Sequence, residues 1–194
     1  HIDGAACVVA GCRVTAIAEE RITRQKHAGG CFWALQTALA DLGLAIDEVD
    51  RFVVSTCGEA VPDRDAPVFL RPDGLWTLQD LGVKSSRIFW CPSHHLSHAL
   101  HGFHCLDRDQ VLACVFDYQG NVGEWNSVFW VDGTDARRRR CDRISSDCAG
   151  GLGAMYAAVT DALGLNGATQ AGHTMALAGF APPLGLSPVL LDRT

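Results

Sequence analysis

Twice along this chain an aspartate stands beside a short apolar run, and each time a turn, a second run and a helical pattern follow. In the first cycle Asp3 precedes apolar residues 5–10, Gly11-Cys12-Arg13 turns the chain, and residues 14–18 are apolar again. Phe32, Leu35, Leu39 and Leu42 then recur at helical spacing, and Gly43 can close that helix. In the second cycle residues 111–116 form a strongly apolar run that ends at Asp117, and Gly120 to Gly123 turn the chain. Residues 125–131 alternate with period two, and Leu152, Met155, Tyr156, Val159 and Leu163 mark one face of a helix over 152–163. A hairpin followed by a helix, repeated, is an α/β pattern in which sheets carry flanking helices. It predicts one mixed-sheet unit over residues 1–108 and the start of a second over 109–194.

The stretches between these cycles are shorter. Residues 51–56 read as a buried strand, 58–74 as a loop rich in Pro, Asp and Gly, and 86–90 as another strand. Ser93 is placed to cap a helix over 94–105. Asp132-Gly133 makes a turn into the arginines at 137–140, which read as a solvated strand or turn. A short helix is expected over 174–178, and Pro182-Pro183 and Pro188 then break the chain. A hydrophobic share of 48% is enough for a sizeable core. The net charge of -6 speaks against a general nucleic-acid or membrane-surface binder. No apolar run approaches the roughly 20 residues of a membrane helix, and no signal-peptide pattern opens the sequence. Nine cysteines, an odd number without a C-x-x-C pair, argue against a disulfide framework and for a reducing, cytoplasmic setting. Cys7, Cys105 and Cys114 lie in apolar runs and are expected to be small buried hydrophobes.

The strongest chemical signal is a run of five histidines between positions 94 and 104. His94 and His98 are four apart, so a helix places both imidazoles on one face, a turn from each other. Imidazole suits zinc, iron, copper or nickel. His101 continues the stripe, whereas His95 points about 100° away from His94. A polar helix face or a partner surface would use the same spacing. A divalent ion on two neutral histidines also needs an anionic ligand, and Asp117 stands at the carboxyl end of its strand, where α/β sheets gather ligands. The competing role for Asp117 is simply to begin the turn.

Four segments together resemble the amino-terminal domain of the O-carbamoyltransferases that decorate antibiotics and nodulation factors. Asp3-Gly-Ala-Ala-Cys-Val-Val is similar to that family's opening strand, and Glu19-Glu-Arg-Ile-Thr-Arg-Gln-Lys-His27 to its Glu-Glu-Arg-Phe-Thr-Arg-x-Lys-His signature. His94-His-Leu-Ser-His-Ala resembles its His-His-x-x-His-Ala motif, and residues 151–164 resemble its Ser-Leu-Gly-x-x-Tyr-x-x-Val-Thr-x-x-Leu-Gly stretch. The resemblance implies an actin/hexokinase/ribonuclease H-like fold, present as a partial domain. It implies that ATP and carbamoyl phosphate form a carbamoyl adenylate, from which the carbamoyl group passes to the hydroxyl of a small acceptor. Its metal ligands fall on His94, His98 and Asp117, with iron or zinc as the ion. Its basic stretch falls on Arg24, Lys26 and His27, which would bind phosphate, Lys26 with a catalytic share. Composition alone would leave residues 19–27 as a charged, solvated strand end.

The sequence departs from that pattern in three places. The family has a histidine directly before the opening Asp, as base toward the acceptor. Here Ile2 holds that position, and His1, one residue earlier, is the substitute candidate. His173 and Ala176 stand where the family has lysine and glycine. Family members also continue well beyond the length seen here, so a fragment, a split-gene product or a degenerate relative is expected, with little turnover on its own. The alternatives are threonylcarbamoyl transfer to tRNA, and a non-catalytic metal- or nucleotide-binding module completed by a partner chain.

Overall fold

The computed structural model describes residues 3–55, 69–71, 74–121, 124–135, 139–147, 150–180 and 182. The expectations for His1 and Ile2, for most of the 58–74 loop, for Val122-Gly123 and for Pro183 and Pro188 fall outside those residues.

The first hairpin pairs β1 (Ala5–Ala10) with β2 (Arg13–Ala18) in antiparallel register, Ala10 opposite Arg13. Gly11 makes the turn with φ 61°, a left-handed conformation that glycine adopts without strain. Helix α1 (Glu19–Thr23) follows at once, and α2 (Phe32–Leu42) ends at Gly43, also left-handed at φ 70°. Phe32, Leu35, Ala38, Leu39 and Leu42 line one face of α2 and bury against Val8 of β1 and Phe52 of β3 (Phe52–Val54). Burying each large side chain of this kind contributes about 1.5–3 kcal/mol before entropy is counted. The backbone of β4 (Phe69–Arg71) and β5 (Gly74–Trp76) forms a small antiparallel pair. β6 (Ile88–Trp90) then runs parallel to β3.

The second core is built by α3 (His94–His104) on an antiparallel sheet of order β7-β8-β9. Its strands are Gln110–Phe116, Asn126–Asp132 and Arg140–Asp147, with a bulge at Val128/Phe129. Ala99 and Phe103 of α3 pack on Val115, Phe129 and Val131, so this helix buries its apolar side against the strands that follow it. Its other flank reaches back to the first core. Ser97 Oγ lies 2.9 Å from Ser55 Oγ, and the Cys91 N–H donates to the Val54 carbonyl at 2.8 Å. Two further helices, α4 (Leu152–Ala162) and α5 (Ala171–Ala178), touch through a buried bond from Thr174 Oγ1 to Thr160 Oγ1.

The architecture is therefore α/β with flanking helices, and among the described residues the strands form four small sheets rather than one mixed sheet. Among the described residues β1 and β3 do not pair with each other; both line a common cavity of about 820 Å³. Three other expectations are corrected. Cys7, Cys105 and Cys114 are exposed, because Cys7 and Cys114 fall on the outward phase of strands whose Val8 and Val115 point inward, and Cys105 follows the end of α3. Residues 19–23 are helical rather than a strand end, with Glu19 only 1% exposed. The strand over 51–56 shortens to three residues, and its central Val53 is 74% exposed. The apolar face of α4 exists, but it meets water: Leu152, Met155, Tyr156, Val159 and Leu163 are all exposed. No helix among the described residues is long and apolar enough to cross a membrane.

Candidate metal centre

Ser93 starts α3 as expected, its hydroxyl accepting the Leu96 N–H at 3.0 Å. From that start His94 and His98 extend on one side, toward the carboxyl end of β7. Three ligand atoms meet there. His94 Nε2 lies 3.0 Å from Asp117 Oδ2 and 3.0 Å from His98 Nε2, and His98 Nε2 lies 3.5 Å from the same Asp117 oxygen. Ligand atoms about 2.0–2.1 Å from one ion at octahedral or tetrahedral angles lie roughly 2.8–3.4 Å from each other. Two edges of the triangle, both 3.0 Å, fall in that range, and the third, 3.5 Å, lies just above it.

Protons alone satisfy this arrangement poorly. A neutral imidazole carries one N–H, and Nε2 of His94 faces two partners. If that nitrogen donates to Asp117, it has no lone pair left for His98. If it accepts from His98, its lone pair faces the carboxylate. If both rings donate to Asp117, their N–H groups crowd at 3.0 Å. A single cation between the three atoms removes the conflict. Two histidines and one carboxylate with other positions open is also the donor set of non-haem iron sites, and it is acceptable to zinc. Asp117 is prepared for the role. The His94 bond, the Tyr118 N–H and the neighbouring imidazoles hold its carboxyl at about 2, against the opposing effect of burial. A groove of about 370 Å³ runs between α3 and β7 and ends at His98 and Asp117.

Behind the triangle lies a polar cluster that sequence reading missed. Glu124 is 3% exposed and its carboxylate accepts from four donors. Ser93 Oγ at 2.5 Å and Arg143 Nη1 at 3.0 Å reach Oε1; the backbone N–H groups of Asn121 at 3.0 Å and His95 at 3.4 Å reach Oε2. Burial works against its charge, but the bonds from Ser93, Asn121 and His95 prevail and keep its carboxyl below the usual range. His95 is fully buried, its Nδ1 2.8 Å from Ser127 Oγ. Burial holds its pKa below the usual imidazole value, against the pull of the Glu124 and Asp117 carboxylates. The one available signal for Glu124 was a lone carboxylate directly before an apolar strand.

The basic stretch is elsewhere. Arg24 and Lys26 are exposed in the loop after α1, and His27 Nδ1 pairs with Asp3 Oδ1 at 2.9 Å. Asp3, Arg24 and His27 all adopt positive φ, 65°, 60° and 59°, the described non-glycine residues that do so. Such strain tends to gather at functional sites. Among the described residues no hydrogen bond or ion pair links this stretch to the triangle. His101 is exposed and sits near Cys105 at 3.7 Å, apart from the ligand set. Glu19 serves as an anchor: its carboxylate accepts the Trp33 and Ala34 N–H groups at 3.1 and 2.7 Å, which tethers α1 to the start of α2. Compared with known proteins, the chain matches no family model, no curated protein and no solved structure.

Proposed function

We propose that this chain is part of a metal- and ATP-dependent O-carbamoyltransferase on an actin/hexokinase/ribonuclease H-like plan, with the ion on His94, His98 and Asp117. The observation that supports the metal is the triangle of ligand atoms, two imidazole nitrogens and one carboxylate oxygen within 3.5 Å of one another. The carbamoyl chemistry rests on the four ordered motifs. An iron or zinc ion there would supply Lewis-acid polarisation of phosphate or carbamoyl oxygens. The His94 bond above all holds the Asp117 carboxyl low, at about 2, so it would offer an ionised ligand. Arg24 and Lys26 present cationic side chains to solvent, suited to the phosphates of carbamoyl phosphate or ATP. His27, oriented by Asp3, stands beside them. The acceptor is a small hydroxylated molecule, with no role for nucleic acid or membrane. The described cysteines are all free, which supports a reducing, cytoplasmic setting.

One observation favours a second reading, a metal-binding module completed by a partner chain. The exposed apolar face of α4 continues in type on the open face of the three-stranded sheet, where Leu112, Phe116 and Ile144 are about 60% exposed (58%, 61% and 61%). Such surface is unusual on a complete monomer. One experiment separates the readings. The chain is loaded with Fe²⁺ or Zn²⁺ and given ATP, carbamoyl phosphate and hydroxylated acceptors, and released pyrophosphate is measured. Release that requires carbamoyl phosphate, at any rate above background, supports the transferase. Metal binding without pyrophosphate, alone or with a longer chain, would leave the module reading in its place.

A further inference from the structure

The three ligand atoms come from two separate pieces of chain. His94 and His98 ride on α3, whereas Asp117 opens the turn after β7. The fit between them depends on what joins the start of α3 to that turn. Glu124 does so directly. Through Oε1 it takes the hydroxyl of Ser93, the cap residue of α3, and through Oε2 it takes the N–H of Asn121 in the turn and of His95 in the helix. Asn121 adds a parallel link, its Oδ1 accepting the His94 N–H at 2.5 Å. The turn is closed on itself as well, Gly120 N–H to Glu124 carbonyl and Glu124 N–H to Asn121 carbonyl, both 2.8 Å.

We infer that Glu124 is a positioning residue for the metal triangle: its buried carboxylate sets the distance of His94 and His98 from Asp117. This rests on the metal reading given above. Residues that orient ligands from behind typically change metal affinity by about 10–100-fold when removed. Two features make Glu124 suited to the part. Its carboxylate is buried between the start of α3 and the turn before β8, and both of its oxygens are used, by Ser93 on the helix side and by Asn121 on the turn side. Arg143, half-exposed at the rim, touches only the outer oxygen and is expected to matter less.

The test uses Co²⁺ as the probe, with the full chain as wild type, Glu124→Ala, Glu124→Gln, Ser93→Ala and Arg143→Ala. Affinity is read by titration, the visible absorption of bound Co²⁺ reports coordination geometry, and a denaturation midpoint reports folding. Glu124→Ala is expected to weaken Co²⁺ binding by about 10–100-fold and to alter its absorption bands. Glu124→Gln, which keeps an acceptor oxygen, should recover part of both. Arg143→Ala should leave the bands unchanged. A folded Glu124→Ala protein with wild-type affinity and bands overturns the inference. Should Glu124→Ala fail to fold, Ser93→Ala decides: weaker binding with shifted bands supports the inference, and unchanged binding overturns it. If wild-type protein takes no Co²⁺, the metal reading itself is lost and this inference with it. That outcome is distinct, because it is read before any variant is made.

Discussion

His94 and His98 turn their Nε2 atoms toward each other at 3.0 Å, with ring planes 86° apart. With Asp117 Oδ2 beside both nitrogens, the three atoms form one candidate ligand set, and removing either imidazole should be felt at once. His98→Ala is expected to lower Fe²⁺ or Zn²⁺ affinity by more than the roughly 10–100-fold typical of residues behind a ligand. Equilibrium titration against a chelator of known affinity measures it. A loss under about threefold takes His98 out of the ligand set, and Asp117→Ala provides the matching test for the carboxylate.

Glu19 gives a prediction about stability alone. Its carboxylate accepts two N–H groups in the first turn of α2 and is almost fully buried. Glu19→Ala leaves both donors without a partner and should cost about 2–4 kcal/mol, on the scale of about 1–3 kcal/mol per buried unsatisfied group. Glu19→Gln keeps one acceptor and should cost less, about 1–2 kcal/mol, as for the loss of a helix cap and its charge. Urea midpoints at constant slope check both values. A neutral effect of the alanine variant would mean that α1 and α2 are not joined in this way.

Two glycines should respond oppositely to a methyl group. At Gly120 an added Cβ would stand 2.6 Å from Glu124 Oε2 and 2.7 Å from His95 Cδ2, neither of which is free to withdraw. Gly120→Ala should cost about 1–3 kcal/mol and disturb the site. Gly102, inside α3, meets nothing within 4 Å, so Gly102→Ala should stabilise by up to about 1 kcal/mol. Thermal unfolding of the two variants gives the signs directly.

Cys31 carries a pH prediction. Burial, helped by the Glu19 charge, raises its thiol from 9.0 to about 11. The folded chain therefore retains this proton where the unfolded chain loses it. The contribution to stability is fully present below about pH 9 and fades as pH rises toward 11. At pH 8.5 Cys31 should react with iodoacetamide much more slowly than exposed Cys7 and Cys12. Mass spectrometry of timed alkylation resolves the sites, and equal rates would contradict the half-buried placement of Cys31.

What the sequence revealed was local. The Ser93 cap, the Gly43 stop and the four-residue spacing of His94 and His98 are properties of one helix, and Asp117 is marked by its place at a strand end. The Glu124 cluster joins residues about 30 positions apart, Ser93 to Glu124 and His95 to Ser127, so no periodicity announces it. Burial of Glu19 was hidden for the same reason, since a charged run reads as solvated until the helix it caps is placed. The exposed cysteines and the uncovered face of α4 show the limit from the other side. A pattern tells which side of an element is apolar, but the partner that covers that side belongs to the tertiary structure.

The contact between Ser55 and Ser97 gives α3 a mechanical character. Ser97 and His98 are consecutive, so one faces the parallel strand pair while the next looks into the ligand triangle. Between them lies no loop, only a helix of 11 residues anchored by its cap. The hydroxyl pair therefore fastens the ligand-bearing helix to the end of β3 at a point one residue away from His98.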